Sequence, residues 1–156
     1  MKRFLFAFIA ISLIIMIPGC SPAGEKLPDI DKLSQELLAD GLIFTDILSP
    51  IDQNIALVIF GLSEEDVESC AVYCSTGATA EEIALFIAPD TDAAERVYAA
   101  LERRVDMQIL AFENYVPAEV PKLKNAILRA NGRCVMYITA ADIDSADKIV
   151  YNYENG

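Results

Sequence analysis

No feature constrains this chain more than Asn131-Gly132, set between the apolar-rich runs 126–130 and 133–139. Both central positions of a type I′ turn need positive φ, and Asn-Gly tolerates that best, so the two runs are expected to fold back as a β-hairpin. The runs 70–75 and 82–88, separated by Thr76-Gly77-Ala78-Thr79, predict a second hairpin with a longer loop. Thr79 and Glu82 also fit a capping box, but Pro89 leaves a helix there too little length. Between the hairpins, Asp90-Thr91-Asp92 opens the longest element. Ala94, Val97, Leu101, Val105, Gln108 and Phe112 keep a stride of three or four residues and give it one buried face. Tyr115-Val116-Pro117 ends that helix, and a short Pro-started helical turn runs to Lys124.

Helices are expected at both ends of the domain. Asp29 opens one in which Ile30, Leu33, Leu37 and Leu38 fall at helical spacing, ending near Asp40-Gly41. Ile143, Ala146, Ile149, Val150 and Tyr153 share one side of another over 142–153. Residues 42–62 are read as containing a short buried helix, because the apolar run 55–60 is followed by Gly61, which suits a helix end. Ser63 with Glu64, Glu65 and Asp66 predicts an N-cap and a brief helix to Glu68. The expected fold class is therefore α+β: an antiparallel sheet of two hairpins, about four strands, packed against the long central helix, with N- and C-terminal helices.

The first twenty residues have a different character. Lys2 and Arg3 precede an apolar run over 4–17, then Pro18-Gly19-Cys20. A helix over that run would span about 21 Å, short of a ~30 Å hydrocarbon core, so it reads as an export signal. Ile17-Pro18-Gly19-Cys20 resembles the lipobox of bacterial lipoproteins, although Pro18 stands where Ala or Ser is usual. The expected layout is a signal peptide over 1–19, a lipidated Cys20 with a turn-rich tether over 20–28, and a single extracytoplasmic domain over 29–156. Two or three acyl chains on Cys20 suffice for stable anchoring. Processing would remove Lys2 and Arg3 and no acid, so a chain of formal charge -12 becomes more negative still. Anionic lipid repels such a body, and the lipid anchor must hold it at the membrane.

Composition excludes several chemistries. The chain has no His, which removes Ser-His-Asp and Cys-His catalysis and the commonest metal ligand. Its 12 Lys plus Arg face 24 Asp plus Glu, so no cationic surface is available for nucleic acid.

Four groups of residues invite a chemical reading. Cys70, Cys74 and Cys134 would allow one disulfide in an oxidising compartment. On one strand, however, Cys70 and Cys74 sit about 13 Å apart and cannot bridge each other. Either reaches Cys134 only across neighbouring strands, and small apolar core positions are the plainer reading. Asp142, Asp144 and Asp147 lack the glycine and the ligand spacing of a calcium loop, and suit the start of a helix. Glu81 and Glu82, as neighbours on a strand, point to opposite faces and cannot flank one substrate bond; one solvated and one edge-facing carboxylate are expected. Tyr115, Tyr151 and Tyr153 are candidates for a partner-binding surface.

Glu81-Glu82-Ile83-Ala84-Leu85-Phe86, then Asp90, Leu101, Arg104, Gln108, Phe112, Tyr115 with Pro117, and the stretch 123–126 before Gly132, form a pattern. It is similar to that of the bacterial lipoprotein family catalogued as domain of unknown function four-three-five-eight, over roughly residues 30–150. The resemblance implies a small membrane-anchored lipoprotein and no activity, ligand or catalytic residue. With no assembled catalytic set, the expected role is a non-enzymatic domain that binds a protein or other envelope component, without cofactor or metal. The alternatives are a small envelope enzyme using carboxylates or a thiol, and a structural subunit that oligomerises through an exposed sheet edge.

Overall fold

The carboxylate of Asp29 accepts the Lys32 amide at 3.0 Å and starts helix α1 (Ile30–Ala39), just after the point where the computed structural model, which describes residues 27–155, begins. Strand β1 (Ser49–Ile51) follows, and Asp52 caps helix α2 (Gln53–Phe60). Gly61 ends α2 in the left-handed region at φ 63, its N–H turned back to the carbonyls of Leu57 and Val58. Strands β2 (Ser69–Cys74) and β3 (Glu82–Ile87) form a hairpin, and Asp90 caps the 25-residue helix α3 (Thr91–Tyr115). A 3-10 turn (Pro117–Glu119) and helix α4 (Val120–Lys124) lead into the hairpin of β4 (Ile127–Asn131) and β5 (Cys134–Thr139). Helix α5 (Ile143–Asn155) comes last.

The five strands make one antiparallel sheet in the order β1-β2-β3-β5-β4. Pairing of β3 with β5 joins the two hairpins and places both strands at the centre, where every residue of each is buried. One face, with Ile83, Leu85, Ile87, Met136 and Ile138, packs on α1 and α5. The other, with Ala84, Phe86, Val135 and Tyr137, packs on α2 and α3. The fold is α+β, with helices covering both faces. That double cover explains why β3 and β5 read as continuous apolar runs and not as an alternation.

The sheet has two distinct ends. At one, Leu27 and Asp29 lie beside Asn131 and Tyr153, and the Tyr153 hydroxyl donates to the Asp29 carbonyl at 2.7 Å. From there α1 runs along the sheet to the opposite end, where the Ile43 carbonyl accepts the amides of Ala141 and Asp142. That far end, where β3 begins and β5 finishes, carries the candidate site.

Three local expectations are corrected. Asn131 pairs with Cys134, so Gly132 and Arg133 are the central residues of the β4–β5 turn. Among the described residues only glycines have positive φ, and Gly132 has φ 55. This is the φ pattern of type II′ and not type I′, one residue out of register from the Asn-Gly reading. Tertiary contacts decide it: Arg133 at the tip donates to the Glu68 carboxylate and to the carbonyls of Ala88 and Pro89. Ser63 starts no helix, because its amide and hydroxyl both donate to Asp66, closing a tight turn that Arg96 braces at 2.6 Å. The Glu68 amide is already paired with the Ile87 carbonyl. Finally, residues 42–62 contribute a fifth strand, β1, besides the expected helix, and α2 is covered on one side only, with Ile55 and Val58 exposed.

Candidate functional site

Cross-strand pairing sets Cys74, Glu82 and Thr139 side by side at the far end of the sheet. Helix α3 crosses this row with Arg104 and Gln108, one turn apart and therefore on one helical face. The Arg104 guanidinium holds Glu82 through Nε at 3.4 Å and Nη2 at 3.1 Å, and Gln108 Nε2 stands 3.5 Å from the same carboxylate. The Cys74 thiol donates to Glu82 at 3.5 Å, and Arg104 also lies over the Phe60 ring. Around this buried group opens a cleft of about 360 Å³, closed on one side by the loop of Ser75, Gly77 and Thr79 and on the other by Ala111, Phe112 and Tyr115 of α3. The Thr79 hydroxyl is buried without a hydrogen-bond partner among the described residues.

Glu81 also contributes to the cleft lining, yet its carboxylate is engaged elsewhere. It accepts the amides of Thr45 and Asp46 at 2.8 and 2.9 Å, the Thr45 hydroxyl at 2.6 Å, and Lys122 Nζ at 2.8 Å. Lys122 reaches Glu119 as well, and Glu119 in turn accepts the Ala80 amide. Both carboxylates of the Glu81-Glu82 pair are thus buried, at 1% and 2% exposure, against the expectation of one solvated and one edge-facing group. Each is buried because each has a cation and further donors.

Electrostatics separates these groups. Burial raises the pKa of Glu81, but Lys122, Thr45 and the Asp46 amide outweigh it and hold the carboxyl below its ordinary value. Burial, then the neighbouring Glu82 carboxylate, pushes the Cys74 thiol up to about 12. Burial, then Asp52, pushes Cys70 up to about 11. A thiol so raised is a poor nucleophile at neutral pH.

The residues singled out from sequence are scattered. Cys20 lies outside the described residues, as do residues 1–19, expected to be a signal peptide, and most of the expected tether. Tyr115, 69% exposed, lines the cleft from α3. Tyr151 is exposed on α5 and Tyr153 packs against the core of the opposite sheet face, so the three make no single patch. Cys70 and Cys74 face α2 and α3, whereas Cys134 is buried on the other face and β3 separates their strands, so neither bonds to Cys134. Asp142 caps α5 through Ser145, and Arg129 takes Asp147. Arg104 and Gln108 enter the sequence reading only through the family pattern and, for Gln108, the helical stride, not as site residues, although a glutamine inside the apolar stripe of α3 is the signal that points to them. Thr45 and Lys122 carry no such signal, since each meets Glu81 from a distant part of the chain.

The family described as Domain of unknown function (DUF4358) matches residues 45–140. The chain belongs to that family. Neither a curated protein nor a solved structure matches it. The DUF4358 match takes in the whole sheet, α2 and α3, and with them Thr45, Glu81, Glu82, Arg104, Gln108, Tyr115 and Lys122. It leaves out α1 and α5, which cover the opposite face.

Proposed function

We propose that this DUF4358 chain is a membrane-anchored extracytoplasmic binding domain, held by a lipidated Cys20, whose cleft at Arg104 and Glu82 receives an envelope component. The observation that carries the reading is the cleft itself: a concave site of ligand size whose polar groups converge beside an aromatic wall. Binding is favoured over catalysis because Glu82 is compensated by Arg104, the Cys74 thiol is pushed up to about 12, and the chain has no His. The place of the cleft supports the anchored reading. Leu27 and Asp29 stand at one end of the sheet and the cleft at the other, so a tether leading from a bilayer to Leu27 would leave the cleft facing away from it.

Detergent phase partition with intact-mass analysis tests the anchor. A lipidated product beginning at Cys20, and an unprocessed Cys20→Ala variant, are expected; an unlipidated protein beginning at any other residue would refute it. A photocrosslinking residue at position 115 is expected to capture an envelope component in intact membranes that the same residue at position 151 does not. Equal capture from both positions would remove the cleft from the reading.

A further inference from the structure

Strand β4 is an outer strand of the sheet, and its backbone is open along one side. Asn131 and Cys134 flank a two-residue turn, so they form a pair that exchanges both backbone hydrogen bonds, as do Arg129 with Met136 and Ile127 with Ile138. Leu128 and Ala130 therefore turn their N–H and C=O groups away from β5, where no strand among the described residues meets them. On the α3 side a groove of about 570 Å³ follows this edge, between Val105 and Asp106 of α3 and the segment of Leu123, Ala126 and Leu128. The opposite outer strand, β1, is three residues long with Pro50 at its centre, which has no N–H to give. A proline or a projecting charge is the usual protection of a sheet edge. Strand β4 has no proline, and its one charge, Arg129, is drawn onto α5 by Asp147 and Glu154.

We propose that β4 pairs antiparallel with β4 of a second copy of this chain, about a two-fold axis at Arg129 and normal to the sheet. Leu128 of each copy then lies opposite Ala130 of the other, a large side chain beside a small one, and both outward residues of each strand are satisfied. An axis at Leu128 would call on Ala126, whose N–H is already given to the Leu123 carbonyl, and an axis at Ala130 would call on Gly132 of the turn. Charge favours a copy as the occupant. Acids outnumber bases two to one in the chain, yet along the groove Glu102 and Asp106 stand with Arg103 and Lys124. The axis sets α3 beside its own copy, reversed in direction, so that acids of one can meet bases of the other. The two Arg129 side chains fall opposite each other, and the Asp147 and Glu154 carboxylates of both copies offset their repulsion. With β1 barred by Pro50, pairing closes at two copies and builds no fibre. The axis turns the second copy end for end but preserves the faces of the sheet. Both Leu27 residues, packed with α1 and α5, leave on one face, and both clefts open on the α3 face, so two anchored chains keep their clefts turned from the membrane.

The test uses the full-length chain in its membranes, then in detergent. Across the axis the Arg129 Cα atoms lie about 4.5 Å apart, within disulfide reach, whereas those of Ala130 lie about 8 Å apart, beyond it. Mild oxidation of Arg129→Cys is expected to give a reducible band of twice the monomer mass, at least fivefold stronger than from Ala130→Cys and absent from the wild type. Sedimentation in detergent is expected to give a wild-type dimer. Ala130→Pro, which removes an outward N–H where an edge strand tolerates proline, is expected to sediment as a monomer that still melts cooperatively. Should the proline unfold the chain, the contrast between positions 129 and 130 decides on its own. A monomeric wild type, a folded Ala130→Pro dimer, or equal cross-linking from both positions would overturn the proposal. A disulfide from position 129 to a different protein would give the edge to a foreign strand and overturn the second-copy assignment. None of these outcomes touches the cleft, which position 115 tests separately.

Discussion

Replacing Glu81 by Ala leaves Lys122 facing Glu119 alone and strips the amides of Thr45 and Asp46 of their acceptor. Breaking a buried, hydrogen-bonded ion pair in this way costs about 3–5 kcal/mol, so urea melts of Glu81→Ala are expected to give an unfolding free energy lower by that much. The same residue predicts an acid limb. The native Glu81 carboxyl sits below its unfolded value, so its stabilisation is complete above the ordinary glutamate range and is lost as pH falls through the native value. Lys122, raised by Glu81 and Glu119 against burial, works in the opposite sense, losing its contribution only as pH rises above the ordinary lysine range. Glu81→Gln, which keeps the shape but not the charge, is expected to flatten the acid limb of a melting-temperature profile. An equally steep limb in the variant would assign acid sensitivity to other carboxylates, Asp66 first, which Ser63 and then Arg96 hold at about 2.

At the level of elements, the β4–β5 turn separates two accounts of one hairpin. With Gly132 and Arg133 central, only Gly132 needs positive φ. Gly132→Val is then expected to cost about 1–3 kcal/mol, whereas Asn131→Ala, at a position without positive φ, is expected to change the unfolding free energy from denaturant melts by less than about 0.5 kcal/mol. A large loss at Asn131 would restore the Asn-Gly turn. The elements read correctly from sequence share a physical basis: α1, α3 and the hairpins announce themselves through local periodicity, an Asp cap and a glycine-bearing turn. Those misread do not. At Ser63 one acid of the apparent first helical turn, Asp66, is engaged by Ser63 itself and Arg96, and β1 is three residues long with Pro50 at its centre, too short for any alternation to show.

Across the whole molecule, the family match and the folding unit differ in extent. Residues 45–140 contain the sheet and the cleft but lack α1 and α5, which bury Ile83, Leu85, Ile87, Met136 and Ile138. A fragment of 45–140 alone is therefore expected to bind a hydrophobic dye and to melt without a cooperative transition, while residues 27–156 melt cooperatively. Reductant is expected to leave the melting temperature of 27–156 unchanged, because Cys70 and Cys74 lie across the sheet from Cys134. The sequence by itself determined the fold class, the two hairpins, and the long helix and its cap, since each follows from the local period of the backbone or from a residue's own conformational preference. Only the tertiary structure decided that β3 pairs with β5, that both faces of the sheet are covered, that both glutamates are buried, and that Cys74, Glu82, Arg104 and Tyr115 meet at one cleft. These depend on contacts between residues far apart in the chain, and a side chain's burial is set by what packs over it, which no local pattern encodes.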